Sequence, residues 1–288
     1  MYNLARKNHL GKNLMKMRRI FPDEYDFFPP TWRLPAEWRE FKQQFNEKKA
    51  KTFIVKPEAM SQGKGIFLTR HYEGIDRHEH CVVQRYLHKP FLVEGLKFDL
   101  RVYVMIFGVD PLRIFLFHEG LVRFATEPYT PPVGTNLGNM FMHLTNYAIN
   151  KENEKFEFNN DEKRDDVGHK RSLTWFLTYL EEQSLDKAGF LQGIKDIIVK
   201  TMISVQPSLR HLYRTNLPDD VENSQCFEIL GFDIFVDEKV KPWLLEVNHS
   251  PSFVTDTPLD YKIKHQLISN VITLLNMNLK RKRNYKIR

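Results

Sequence analysis

The residues best placed to do chemistry lie late in this 288-residue chain, in the run FDIFVDEKVKPWLLEVN (232–248). On the second half of that run Glu246 and Asn248 stand two residues apart and share a strand face, with Trp243, Leu245 and Val247 on the other. A turn centred on Lys239 and Val240 sets Asp233 opposite Glu246, with Cβ atoms roughly 4.5–5.5 Å apart. Like charges at that spacing repel and raise a pKa unless a cation lies between them. Two carboxylates and an amide oxygen are hard ligands suited to Mg²⁺, which keeps sites for water and phosphate oxygens. A second reading stands beside this one: a solvent-facing strand surface on which two acids meet.

Upstream, IVKPEAMSQGKGIFLTR (54–70) places Gly63 and Gly65 between two β-runs. This is not a Walker A loop, which needs G-x-x-x-x-G-K-[ST] leading into a helix. A glycine loop joining antiparallel strands can fold over phosphates with its backbone N–H groups, or it can be no more than a turn. Lys56, ending the first run, could point at the same phosphates or simply terminate a strand before Pro57. In KFDLR, Lys97, Asp99 and Arg101 occupy one strand face and Phe98, Leu100 and Val102 the other. That polar face could equally be a solvated ladder of self-neutralising charges. The run CVVQRYL (81–87) offers a backbone edge to an adenine, and by composition is also an ordinary buried strand.

These residues must be positioned by a mixture of helices and short strands. Residues 3–20 read as a basic helix, 21–35 as an irregular aromatic and proline-rich segment, and 36–49 as an amphipathic helix burying Trp38, Phe41 and Phe45. Strands are expected at 52–56, 65–69, 81–87, 97–107, 113–118, 121–125, 226–236 and 242–248. Helices are expected at about 171–183, 190–206 and 260–279. The charged stretch 150–169 reads as a mobile loop. Antiparallel hairpins combined with helices predict an α+β fold of more than one layer.

With 42% hydrophobic and 27% charged residues, the composition is that of a globular protein. The longest apolar stretch, Val102 to Val109, is too short to span a bilayer, and the first residues lack the apolar core of a secretory signal. Cys81 and Cys226 have no pairable spacing and no metal knuckle, so both read as core residues of a protein in a reducing compartment. The net charge of +7 is concentrated at the ends. Residues 1–19 and 280–288 each hold six Lys or Arg and no acid, and taking those twelve from 43 leaves 31 bases against 36 acids between them. Basic ends either fray in solvent or attract an anionic partner.

The order of these motifs is more specific than any one of them. IVKPEAMSQGKGIFL, VVQRYL, KFDLRVYV, HLTNYAIN and LLEVNHSPSF together resemble the ATP-grasp ligases of the tubulin tyrosine ligase-like family, most closely its polyglutamylase branch, from about Asn3 to Leu279. The resemblance implies an ATP-grasp fold with nucleotide held between a small central lobe, 52–90, and a C-terminal lobe, 91–279. It makes 1–51 the remnant of a truncated N-terminal lobe and 280–288 the start of a microtubule-binding segment.

Carried over by position, the resemblance implies that Lys56 and Lys97 contact phosphate and that Gln62 and Gly63 belong to the phosphate-covering loop. It makes Gln84, Arg85, Tyr86 and Leu87 the adenine hinge, Asp99 the ribose-side acid, and Thr145 and Asn146 a pair beside the phosphates. Asp233, Glu246 and Asn248 become Mg²⁺ ligands. Arg123, Tyr147 and Lys170 form the pocket for a free amino acid, and His249, with Gln62, meets the acceptor chain. Arg123, Lys97 and Glu246 are the catalytic candidates. The implied reaction uses ATP and Mg²⁺ to join free L-glutamate to the acidic C-terminal tails of tubulin through an acyl phosphate. The implied setting is a monomer in the cytoplasm on the cytoskeleton, including axonemes and basal bodies of cilia or flagella, with no membrane. Basic side chains at 123 and 170 favour an anionic donor over glycine or tyrosine, the donors of same-scaffold ligases. A non-catalytic microtubule-docking module is the other alternative, and the complete metal triad argues against it. The tail lacks the aromatic platforms of a single-strand nucleic-acid binder.

Overall fold

The structure, a computed structural model, describes residues 1–46, 50–58, 60, 62–220 and 225–277. The basic tail at 280–288, Ser61 of the glycine loop and the last residues of the expected 260–279 helix lie outside them. In chain order the elements are α1 (Tyr2–Ala5), α2 (Lys7–Ile20), β1 (Thr31–Leu34), α3 (Trp38–Lys42), β2 (Phe53–Pro57), β3 (Phe67–Thr69) and β4 (Cys81–Arg85). There follow β5 (Leu92–Val93), β6 (Leu96–Val109), β7 (Leu112–Phe124), α4 (Met140–His143), α5 (Tyr147–Asn150), β8 (Lys170–Ser172) and α6 (Leu173–Glu182). The chain continues through α7 (Lys187–Asn216), β9 (Phe227–Val236), β10 (Pro242–His249) and α8 (Pro258–Leu275).

Two antiparallel sheets result. The smaller has the order β1-β4-β2-β3, and the larger runs β10-β9-β6-β7-β8 with β5 paired to β6. The long hairpin of β6 and β7 organises the larger sheet. Even-numbered residues of β6, from Phe98 to Ile106, enter a core shared with α1, α2, α6 and α7. On the odd-numbered face Tyr103, Met105 and Phe107 pack against Leu259, Ile263, Leu267, Val271 and Leu275 of α8. Lys97, Asp99 and Arg101 continue that face beyond the apolar cover of α8. One strand face is therefore apolar where a helix covers it and charged where the two sheets meet.

Several expectations change. The proline-rich segment contains a strand, β1, whose Thr31–Leu34 pairs with Gln84–Cys81 of β4. The expected strands 113–118 and 121–125 are one strand, β7, which pairs with β6 on both sides of an irregularity facing Tyr103. A Cβ at Gly120 would meet the Arg101 carbonyl oxygen at 2.5 Å, so that close approach requires glycine. Of the expected amphipathic helix the described residues form α3 and a 3₁₀ turn, Gln43–Phe45, and 47–49 lie outside them. Helix α7 runs ten residues past its expected end and through Pro207, because Val205, Leu209 and Tyr213 stay buried on one face. Burying each such side chain contributes about 1.5–3 kcal/mol, comparable to the roughly 3 kcal/mol that an interior proline costs. The stretch 151–169 carries neither helix nor strand. It is nonetheless tethered, since Phe156 stacks on His169 and the Asn159 side chain donates to the Arg164 carbonyl. Cys81 is a buried core residue, whereas Cys226 is exposed, just ahead of β9. Among the described residues no helix is long and apolar enough to cross a membrane.

Candidate active site

The β9–β10 hairpin carries the acid pair, and its geometry depends on one extra residue. Near the turn Pro242 faces Val236 and Leu244 faces Ile234; beyond a bulge at Leu245 the register shifts by one, so that Glu246 faces Asp233 and Asn248 faces Gly231. The sequence register thus holds for the acids. The expected face of Trp243, Leu245 and Val247 does not. Leu244 and Val247 enter the core, while Leu245 lines the same cleft as Glu246, because a bulge reverses the side-chain alternation.

A second row crosses the sheet beside the first. Phe235, Asp99, Arg123 and Lys170 face one another in turn across β9, β6, β7 and β8. Arg101 faces Asp233 directly. The alternative of a solvated ladder is excluded, since Lys97, Asp99, Arg123 and Asp233 are all buried.

Burial makes the ionic pairing consequential. The Arg101 guanidinium donates to both Asp233 oxygens at 2.5 and 3.0 Å, and Arg123 lies 2.9 Å from Oδ2 of the same residue. Arg123 also grips Asp99 with two N–H groups. Burial would push the Asp233 carboxyl up, yet Arg101 and Arg123 hold it well below the ordinary carboxylate range. At a 5 Å separation and an effective dielectric of about 20, two carboxylates repel by about 3 kcal/mol, and the arginines offset this. Glu246 is different. Its pKa is raised by burial and by the Asp233 charge, with Lys56 and Arg101 opposing but not overcoming them. Its Oε1 accepts from the Asn248 amide at 3.1 Å.

That makes Glu246 the group a cation would relieve. Among the described residues no three His, Cys, Asp or Glu side chains gather as a metal cluster. The candidate set is two carboxylates and an amide, which fits a hard cation that completes its shell with water and phosphate oxygens.

A cleft that is partly open to solvent lies between the two sheets. Lys56, Lys97, Asp99, Asp233 and Glu246 line it on the charged side, and Gln84, Arg85, Tyr86, Leu87, Thr145 and Asn146 line the rest. Lys56 donates to Gln84 Oε1 at 2.9 Å, and Gln84 donates onward to Thr31 on the unforeseen strand β1. Lys97 donates to the Tyr86 hydroxyl at 3.1 Å and the His143 carbonyl at 2.6 Å. Burial pulls the Lys97 ammonium down to about 7, and burial pulls Lys56 down as well.

Other sequence candidates lie around this cleft. Gly63, at φ +83°, approaches Ile149 and Asn146 so closely that its own Cβ would meet Ile149 Cδ1 at 2.4 Å. Gln62, beside it, is exposed. Tyr147 lies with its ring centroid 3.5 Å from Lys170 Nζ. His249 is exposed at the end of β10 and meets the edge of Tyr2, 5.5 Å between ring centroids.

Sequence reasoning missed three supports. His143 Nδ1 meets the Tyr86 hydroxyl at 2.9 Å while its carbonyl holds Lys97. Asn150 accepts from the Thr126 N–H and donates to the Leu144 carbonyl, pinning the turn that presents Thr145 and Asn146. Asp260 binds Lys170 at 2.7 Å. The first two lie within or beside HLTNYAIN and so were visible as a motif, whereas Asp260 had no local signal.

The chain belongs to the tubulin-tyrosine ligase family, whose model matches residues 1–284. It is 56% identical over 284 residues to a probable beta-tubulin polyglutamylase of Tetrahymena thermophila, covering 98% of this chain and 24% of that protein. It is 49% identical over 280 residues to the human tubulin polyglutamylase TTLL13, covering 96% of this chain and 34% of the relative. To the tubulin polyglutamylase ttll6 of Danio rerio it is 47% identical over 277 residues, covering 96% and 35%. The chain thus spans about a quarter to a third of the length of these relatives.

Proposed function

We propose that this chain is an ATP-grasp ligase module that joins free glutamate to glutamate side chains or chains on the acidic tails of tubulin. The observation that carries the reading is one cleft that combines two buried lysines with Asp233 and Glu246, to both of which the Asn248 amide is bonded. Similarity to named tubulin polyglutamylases over 96–98% of the chain supports the choice of donor and acceptor.

Gln84 to Leu87 would hold the adenine of ATP, Asp99 would serve its ribose, and Lys56, Lys97, Thr145 and Asn146 would meet its phosphates. The loop of Gln62 and Gly63 closes over them. Asp233, Glu246 and Asn248 would hold Mg²⁺, which would supply charge neutralisation to the phosphate oxygens. The acceptor, guided by His249, brings a carboxylate oxygen to the γ-phosphorus; the bond to ADP breaks and an acyl phosphate forms. Lys56 and Lys97 take up the developing negative charge. The α-amine of glutamate, steered by Arg123, Tyr147 and Lys170, attacks the acyl carbon; phosphate leaves, the amine gives up a proton, and an amide remains. Positioning and charge do most of this work. The module works as a monomer on the cytoskeleton, including ciliary and flagellar microtubules.

Mass spectrometry of tubulin incubated with the protein, ATP, Mg²⁺ and glutamate tests the reading. Glutamate additions on tail glutamates are expected, and additions of glycine or tyrosine with none of glutamate would overturn the donor assignment.

Two further outcomes are expected. Lys97 titrates near neutrality before nucleotide binds, and phosphate favours its charged form, so protonated protein binds ATP more tightly. The KM for ATP therefore rises from about pH 6 to about pH 8, and Lys97→Gln flattens that profile; an unchanged slope in the variant assigns the titration to another group. At Gly231 an added Cβ would come within 2.9 Å of Arg101 Cδ. Gly231→Ala should push Arg101 off Asp233 and lower turnover by about 10–100-fold, and wild-type turnover in the variant would show that this ion pair is not needed.

A further inference from the structure

Resting on that reading of the donor pocket, a question of charge remains. Arg101 and Arg123 are matched by Asp99 and Asp233, two cations against two anions in direct contact. This side of the pocket carries no net charge with which to select an anionic donor. Lys170, opposite Arg123 across the strands, is the next cation, yet its Nζ sits 2.7 Å from Asp260 Oδ2, which cancels it. Lys264, one turn along α8, brings its Nζ to 2.9 Å from the other Asp260 oxygen.

We propose that Asp260 and Lys264 of α8 set the position and the charge of the donor pocket. Asp260 holds the Lys170 ammonium under the Tyr147 ring, and Lys264 cancels Asp260, so that the buried triad keeps one positive charge for the second carboxylate of an acidic amino acid. The three residues are at most 7% exposed. Burying an ion costs several kcal/mol even when it is paired, and a single pair would suffice to dock α8; a third buried charge changes the net charge and adds little anchoring. The helix start fixes the arrangement. Thr257 caps α8 by accepting from the Asp260 N–H, and Lys264 donates to the Val254 carbonyl in the segment before the helix. The other acid facing the pocket, Asp256, is exposed and bonded to the Tyr147 hydroxyl, so solvent screens its charge.

The test compares glutamate with glutamine as donor, molecules of one shape that differ in side-chain charge, using the full chain and tubulin. Lys264→Gln is expected to lower the kcat/KM preference for glutamate by about tenfold or more, through KM for glutamate, with KM for ATP within about twofold of the parent. The double variant Asp260→Asn, Lys264→Gln removes one charge of each sign, restores the net charge and should regain the preference to within about threefold of the parent. An unchanged preference in the single variant, or a double variant as indiscriminate as the single, would overturn the proposal. Should Lys264→Gln fail to fold by thermal melting, the double variant decides alone: preference kept supports the charge balance, and preference lost refutes it. Lys170→Met separates the two levels. If it leaves KM for glutamate unaltered, the donor-pocket reading is wrong; if it raises KM while the α8 variants do not, only the triad proposal falls.

Discussion

Glu246→Gln is expected to lower glutamate incorporation by about 10²–10³-fold or more while leaving the protein as stable as the parent, or more so, at neutral pH. The change keeps the shape of the side chain and the hydrogen bond to Asn248, and removes only the charge. The sign of the stability effect follows from the raised pKa of Glu246. A carboxyl that holds its proton more tightly when folded adds stability at low pH, and that contribution fades as pH climbs past the ordinary glutamate range. Once pH exceeds the raised folded value, an ionised Glu246 therefore weakens the fold, and the amide does not. Melting curves taken beside activity assays check both halves. A variant that is inactive because it is unfolded would deny the carboxylate its proposed role, and an active one would remove it from the phosphate chemistry.

Arg123→Met should behave in the opposite way, with a loss of stability of about 3–5 kcal/mol alongside the loss of activity. Arg123 is buried against Asp99 and Asp233, so its removal leaves two carboxylates short of a partner. The parent's depressed Asp233 pKa contributes stability above the ordinary aspartate range, which is lost as pH falls through the folded value. In the variant that contribution shrinks, so parent and variant should differ most near neutral pH and converge as the medium is acidified. Denaturant unfolding at several pH values measures this; a gap that widens on acidification would show that the arginine does not serve these carboxylates.

The contrast between these two residues marks how far the sequence could be read. Alternation along β6 made Lys97, Asp99 and Arg101 legible as one face, and the turn at Lys239 and Val240 put Asp233 against Glu246 as found. What alternation cannot reveal is the partner two strands away. The like-charge pair called for a cation, and the protein supplies two of its own to Asp233 in Arg101 and Arg123, which leaves Glu246 as the less compensated member. Strand β1 was hidden because prolines on both sides of Thr31–Leu34 suggest irregular chain, whereas pairing with β4 decides the outcome. Pro207 is a similar case: the expected helix stopped at about 206, and distant packing carries α7 through the proline. Asp260 and Lys264 show the 3.6-residue period of a surface helix and nothing more. Their meaning depends on Lys170, some ninety positions earlier in the chain.

The extra residue at Leu245 has a consequence for how this stretch tolerates change. Loss of that single codon would join the two halves of β10 into one uninterrupted alternation. Leu244 and Val247 would stay in the core, and Glu246 and Asn248 would keep their side of the strand with Glu246 still opposite Asp233, so that only the Leu245 side chain would leave the cleft. Most single substitutions along the hairpin disturb one side chain each. The stretch should accept loss of one of the two adjacent leucines, Leu244 or Leu245, more readily than loss of Glu246, Val247 or Asn248, and a library of one-residue deletions from Pro242 to His249 would show survivors concentrated at the leucine pair.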